Sequence, residues 1–218
     1  LHTWRFSGMR RGVRGRAICF FAAWALSCSS ARLPRVPGDP PPSYGDARRE
    51  ADYQATLDRF TRSTAVYDFL DSRVFLQATW HSPEFTKARA EREASFQTRS
   101  SAATSVLVND EIDRARAATE FFLAVHVNDS RFDDFDRRSS MWRMSLWIDG
   151  QEFALQKIER LGRSTPKLRA SYSYFESFWV AYRLQFPAID ATAVSELKLR
   201  VSSVLGQAEL VFLDKRLP

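Results

Sequence analysis

The chain has 218 residues, 44% of them hydrophobic and 27% charged, and a formal net charge of +6 that raises the question of a nucleic-acid partner. Residues 1–27 hold five of the 32 basic residues (Arg5, Arg10, Arg11, Arg14, Arg16) and none of the 26 acids, so the rest of the chain carries 27 basic groups against 26 acidic ones. Those charges alternate in sign, as in Asp46-Ala47-Arg48-Arg49-Glu50, whereas nucleic-acid affinity needs clustered cations that displace condensed counterions, so no nucleic-acid partner is expected.

From Met9 the sequence reads Met-Arg-Arg-Gly-Val-Arg-Gly-Arg, then an apolar run from Ala17 to Leu26, then Ser27 and Cys28. A basic stretch, a short apolar core and small residues before a cleavage point are the layout of a bacterial export signal. Ten apolar residues fall short of the roughly 20 needed to span a bilayer as a helix. Met9 is the expected start of this signal, and residues 1–8 have no evident role in it.

The Cys just past the apolar core resembles that of exported bacterial lipoproteins of unassigned activity. In that pattern Leu stands three residues before the Cys and a small residue immediately before it. Here Ser27 fits, while Leu26 is displaced by one, with Ala25 in its place. The resemblance covers the leader, Cys28 and the segment that follows, and it implies lipidation at Cys28 and a membrane partner through that anchor. Ordinary cleavage after Ala25-Leu26-Ser27, or an uncleaved apolar N-terminus, remain as alternatives. Ser29 rather than Asp after the Cys favours the outer membrane, by analogy with enteric bacteria. Besides Cys28 the chain has one other cysteine, Cys19, within the leader, so no intrachain disulfide or thiolate metal cluster is expected beyond Cys28.

Residues 28–45 include five prolines, which exclude a helix and favour polyproline II. At about 3.1 Å per residue such a segment would hold a domain up to roughly 50 Å from a membrane. Residues 46–218 are expected to form a single domain. Asp46 to Arg62 has the spacing of an amphipathic helix, through Ala47, Ala51, Ala55 and Leu57. Val74, Leu76, Ala78 and Trp80 then alternate as one face of a strand. Ser82-Pro83-Glu84 is a helix start, with a Ser cap, Pro in the first turn and an acid near the positive end of the dipole. A helix from Pro83 to about Phe96, a break at Arg99-Ser100-Ser101 and a second helix to about Thr119 make a helical hairpin between two strands.

The remainder reads as strands: Phe121 to Val127, Trp142 to Ile148, Gln151 to Leu161 after the Asp149-Gly150 turn, Phe178 to Phe186, and Leu197 to Val201, with Leu210 and Phe212 closing the chain beyond Gly206. The expected class is α+β: an immunoglobulin-like antiparallel β-sandwich with an N-terminal helix and an inserted helical hairpin.

Chemistry is sparse. His81 and His126 have no cysteine beside them and no H-E-x-x-H spacing, and satisfied structural histidines are the expectation. The acidic loop supplies Asp129, Asp133, Asp134 and Asp136 as calcium candidates, but it lacks the Gly and Glu of an EF-hand, and Arg131, Arg137 and Arg138 would neutralise its field. No G-x-S-x-G elbow, S-x-x-K or phosphate loop is present, and no cofactor is expected. Tyr172, Tyr174 and Trp179 would form a protein- or glycan-binding patch if exposed, and a strand covered on both faces if not.

The functional expectation is a membrane-anchored bacterial envelope lipoprotein that binds or scaffolds without catalysis. The alternative is a soluble periplasmic or secreted hydrolase, for which His81 or His126 would have to meet Asp133 or Asp134 in a cleft.

Overall fold

The computed structural model describes residues 45–68 and 71–215. The leader, Cys28 and all of the Pro-rich segment up to residue 44 lie outside them. The chain runs α1 (Ala47–Arg59), β1 (Thr61–Asp68), β2 (Asp71–Trp80), α2 (Pro83–Phe96), α3 (Ser101–Ala117), β3 (Thr119–Val127), a short turn of 3-10 helix (Ser130–Phe132), β4 (Arg143–Ile148), β5 (Gln151–Ala154), β6 (Lys157–Arg163), α4 (Pro166–Ser171), β7 (Val180–Phe186), β8 (Glu196–Ser203) and β9 (Gly206–Asp214). No helix among the described residues is long and apolar enough to cross a membrane.

The strands form two antiparallel sheets, β1-β2-β3-β7-β6 and β5-β4-β8-β9. Period-two alternation builds the core between them. Leu76 and Ala78 of β2, Phe121 and Leu123 of β3, and Leu184 of β7 meet Leu146 of β4, Leu199 of β8 and Leu210 of β9. The opposite face of the five-stranded sheet is apolar too. Phe122, Ala124 and Ala181 there pack against Tyr53 and Leu57 of α1, Phe85 of α2, and Tyr172 and Phe175 beyond α4. The fold is thus an α+β antiparallel sandwich with an N-terminal helix and a helical hairpin inserted between β2 and β3.

Local chemistry sets the boundaries. Ser82 caps α2, its hydroxyl accepting from the Phe85 amide at 3.1 Å, with Pro83 in the first turn. Ser100 does the same for α3 at Ala103. Asp149 and Gly150 have φ of 48° and 88°, as a two-residue turn with both centres left-handed demands, and they join β4 to β5 with Ile148 opposite Gln151. Asp149 also accepts from the amides of Ser195 and Glu196, which fastens this hairpin to β8.

Three segments differ from the sequence expectation. The first helix stops at Arg59 rather than Arg62, because the Thr-rich run from Thr61 favours a strand; the Thr61 hydroxyl donates to the Leu57 carbonyl at 2.7 Å and closes the helix. Gln151 to Leu161 is not one strand. The chain leaves the four-stranded sheet after Ala154 and enters the five-stranded sheet at Lys157. The aromatic run from Tyr172 is not a strand either; it is a series of turns between α4 and β7.

Candidate functional site

His81 lies just past β2, where β3, α2 and the segment after α4 converge. It is 9% exposed. Its Nε2 is 2.8 Å from the Tyr172 hydroxyl, and its Nδ1 is 3.6 Å from Glu120 Oε2. Burial holds the imidazole pKa below its usual value, against the pull of Glu120. Burial also pushes the Tyr172 phenol up to about 12. The neighbouring His81 ring keeps the Glu120 carboxyl below its ordinary range. One arrangement satisfies all three groups: Tyr172 donates to a neutral ring at Nε2, and Nδ1–H faces the Glu120 carboxylate. The Tyr172 ring stacks on Phe122 at 3.6 Å between centroids, which fixes the phenol.

His81 also lies on the wall of a cleft of about 540 Å³, with Trp80, Thr119, Asp190 and Thr192. Both ring nitrogens face internal partners, so neither is aimed at a molecule in that cleft. His126 is placed differently. Its Nδ1 is 3.3 Å from the Phe178 carbonyl, and its ring lies between Phe75 and Trp179.

The acidic loop does not converge on a cation. Asp129 grips Arg131, whose guanidinium and amide hold its carboxyl down to about 2. Asp133 accepts from Arg160 at 2.6 Å and from the Tyr182 hydroxyl at 2.5 Å. Asp136 is 3.6 Å from the same arginine, and Asp134 accepts from the Ser140 hydroxyl at 3.3 Å. Among the described residues no group of three or more His, Cys, Asp or Glu side chains could hold a metal ion. Asp129, Asp133, Asp134 and Asp136, the weak calcium candidates, thus stand as separately partnered carboxylates. Neither histidine pairs with Asp133 or Asp134.

The aromatic run is corrected. Tyr172 is 4% exposed and belongs to the core beneath the helices. The Tyr174 hydroxyl meets Thr79 at 2.6 Å, and burial raises its pKa well above the usual value. Trp179 is half-buried, and the exposed aromatic is its neighbour Phe178, at 67%. Tyr172, Tyr174 and Trp179 do not form one exposed patch.

A second cleft, of about 480 Å³, opens where the chain crosses between the sheets from β5 to β6. Its apolar lining includes Phe135, Trp142, Met144, Leu155 and Ile158. Phe135 and Trp142 are stacked 4.8 Å apart with an interplanar angle of 4°, and the Trp142 indole donates to the Phe132 carbonyl at 2.8 Å. Arg137, Arg138 and Arg143 line it too, with Glu152 as the one acid. Of the three arginines expected to neutralise the acidic loop, Arg131 does so on Asp129, and Arg160 of β6 joins it, whereas Arg137 and Arg138 make no ion pair among the described residues. The signal available in the sequence was their adjacency, Arg137-Arg138, just ahead of Trp142.

No family model matches the chain, and no curated protein matches it in sequence. A solved structure of a protein of unknown function from Burkholderia pseudomallei is similar at 8% identity with a TM-score of 0.37, covering 81% of this chain and 92% of that one.

Proposed function

We propose that the protein is a bacterial envelope lipoprotein, anchored through a lipid on Cys28, whose folded domain acts as a non-enzymatic binding module. The observation that carries the binding half is the division of labour among its polar side chains. His81 and the acidic-loop carboxylates are committed to internal partners, while the cleft at the β5–β6 crossover joins a rigid aromatic floor to Arg137 and Arg138, which have no acid partner among the described residues. Pockets of roughly 300–1,000 Å³ with apolar walls and a few polar groups are the usual form of small-molecule sites. The leader and Cys28 support the anchoring half.

The test is the intact mass of the chain extracted from bacterial membranes, beside a Cys28→Ser variant. Expected is a mature chain beginning at Cys28 with added lipid mass, absent in the variant. An unlipidated chain beginning at Cys28 or nearby would overturn the anchor and leave a soluble exported protein.

A further inference from the structure

The geometry points to a ligand class for the crossover cleft: an amphipathic anion, with a carboxylate or phosphate head held by Arg137 and Arg138 and an apolar body laid over Leu155 and Ile158. This rests on the reading of the domain as a binding module.

Three observations carry it. The first is charge. Arg137, Arg138 and Arg143 face a single acid in the lining, Glu152, and Arg143 takes that acid at 3.1 Å. Nearby arginines of this region are paired as well, Arg131 with Asp129 and Arg160 with Asp133. Arg137 and Arg138 stand apart from that pattern at the rim of an apolar cleft. Guanidinium forks bind carboxylates and phosphates through parallel charge-assisted hydrogen bonds.

The second is rigidity. The loop bearing these arginines is closed by the Arg137 amide on the Asp134 carbonyl at 2.9 Å and the Ser140 amide on the Arg137 carbonyl at 3.1 Å. The Ser140 hydroxyl also accepts from the Trp142 amide at 3.0 Å. Phe135, two residues before the pair, is clamped against Trp142. Backbone on both sides of the two arginines is thus fixed before any ligand arrives, which lowers the ordering cost of binding.

The third is the floor. Trp142 and Met144 are each 5% exposed, and Leu155 and Ile158 are partly buried. Chain crossing between sheets leaves room beside them, and about 480 Å³ is ample for a body of six to ten carbons. The apolar lining still open to water is therefore that of Leu155 and Ile158, and an apolar body on the ligand covers it where a wholly polar anion would not.

The test uses the full chain in phosphatidylcholine nanodiscs, titrated with octanoate, octyl phosphate and octan-1-ol, with empty discs subtracted. Saturation-transfer NMR reads the binding. Expected is saturable binding of both anions and at least about tenfold weaker binding of the alcohol, the worth of a charge-assisted hydrogen bond. The ratio between the two anions separates a fatty-acid-like source from a phospholipid-like one. Arg137→Gln with Arg138→Gln should weaken the anions about tenfold or more and leave the alcohol and the melting temperature unchanged. The paired Lys variants should restore part of the loss. Equal binding of alcohol and anions, or anion binding unaffected by the Gln pair, overturns the proposal. So does an absence of binding by any probe, whereas the anchored-module reading fails separately, on an unlipidated mass at Cys28.

Discussion

The Arg92 guanidinium, 2% exposed, meets the Glu50 carboxylate through two hydrogen bonds, at 2.7 and 3.1 Å, and so ties α2 to α1. Its Nε donates to the Ala170 carbonyl of α4 at 2.6 Å, and the Tyr53 ring lies 4.3 Å from its guanidinium carbon. One side chain therefore joins three helices over the same face of the sheet. Removing one partner of a buried pair strands the other charge, at a typical cost of about 3–5 kcal/mol. Arg92→Ala is expected near the upper part of that range. Arg92→Met, which keeps the stem packed, should cost less. Urea denaturation of the three proteins checks the order, and an Arg92→Ala protein as stable as its parent would show that the pair contributes nothing.

His81 predicts a specific pH dependence. Its native pKa lies below the usual 6.5, so above that pH the ring is neutral folded or unfolded and the group adds no slope. As pH falls through 6.5 the unfolded chain takes up a proton that the buried ring resists, and stability declines. Glu120 acts lower. Its depressed carboxyl contributes stability above the ordinary value of 4.5, and that contribution is lost as pH falls through the native pKa. Melting temperatures should be flat from about pH 8 to 7 and decline below 6.5, and His81→Gln should start lower with a shallower slope between about 6.5 and 5. Parallel slopes in the two proteins would remove His81 from this account.

Asp133 joins the acidic loop to the five-stranded sheet through Arg160 and Tyr182, and its nearness is one reason the Tyr182 phenol is hard to ionise, after burial itself. Asp133→Asn should cost about 1.5–3 kcal/mol, as for loss of a charged hydrogen-bond partner. Because the carboxylates of this loop are partnered apart from one another, millimolar calcium should leave the melting temperature of the parent protein unchanged. A calcium-dependent rise of several degrees would mean that they regroup around the ion.

Two glycines separate strain from crowding. Gly150 and Gly206 both have positive φ, 88° and 141°. A Cβ on Gly150 meets open space, whereas one on Gly206 would lie 3.1 Å from Val66 Cγ1 and 3.3 Å from the Tyr67 carbonyl oxygen of β1. Gly150→Ala should therefore cost about 1–2 kcal/mol of backbone strain alone. Gly206→Ala should cost more, by about 1–3 kcal/mol of overpacking. Equal losses in thermal melts would show that β1 yields to the added methyl.

Elements whose signals are local were legible in the sequence. Ser82-Pro83 marks the start of α2, and Asp149-Gly150 marks its hairpin, because capping and left-handed turns depend on residues a few positions apart. β1 was hidden because Thr61 to Asp68 follows a helix without a Gly or Pro to break the pattern. Tyr172 to Trp179 misled because alternating aromatics suit a strand, and tertiary packing on Phe122 decided otherwise. The His81–Tyr172 contact spans 91 residues of sequence and the Asp133–Tyr182 contact 49, distances over which no spacing rule speaks. Arg137 and Arg138 looked like counterions to their neighbours because sign and proximity are visible in a sequence, and the direction in which a turn aims its side chains is not.

Arg62 has a consequence at the opposite margin of the sandwich. Its Nε donates to the Val211 carbonyl of β9 at 2.8 Å, while its Nη1 holds the carbonyls of Arg59 and Thr61. β1 and β9 are the outermost strands of their respective sheets, and a bare carbonyl on such a margin is where a foreign strand would begin to pair. A cation already bonded there, bulky and charged, withholds that foothold. The side chain that seams the two sheets together is thereby also of the charged kind with which proteins blunt a sheet edge against strand-by-strand pairing.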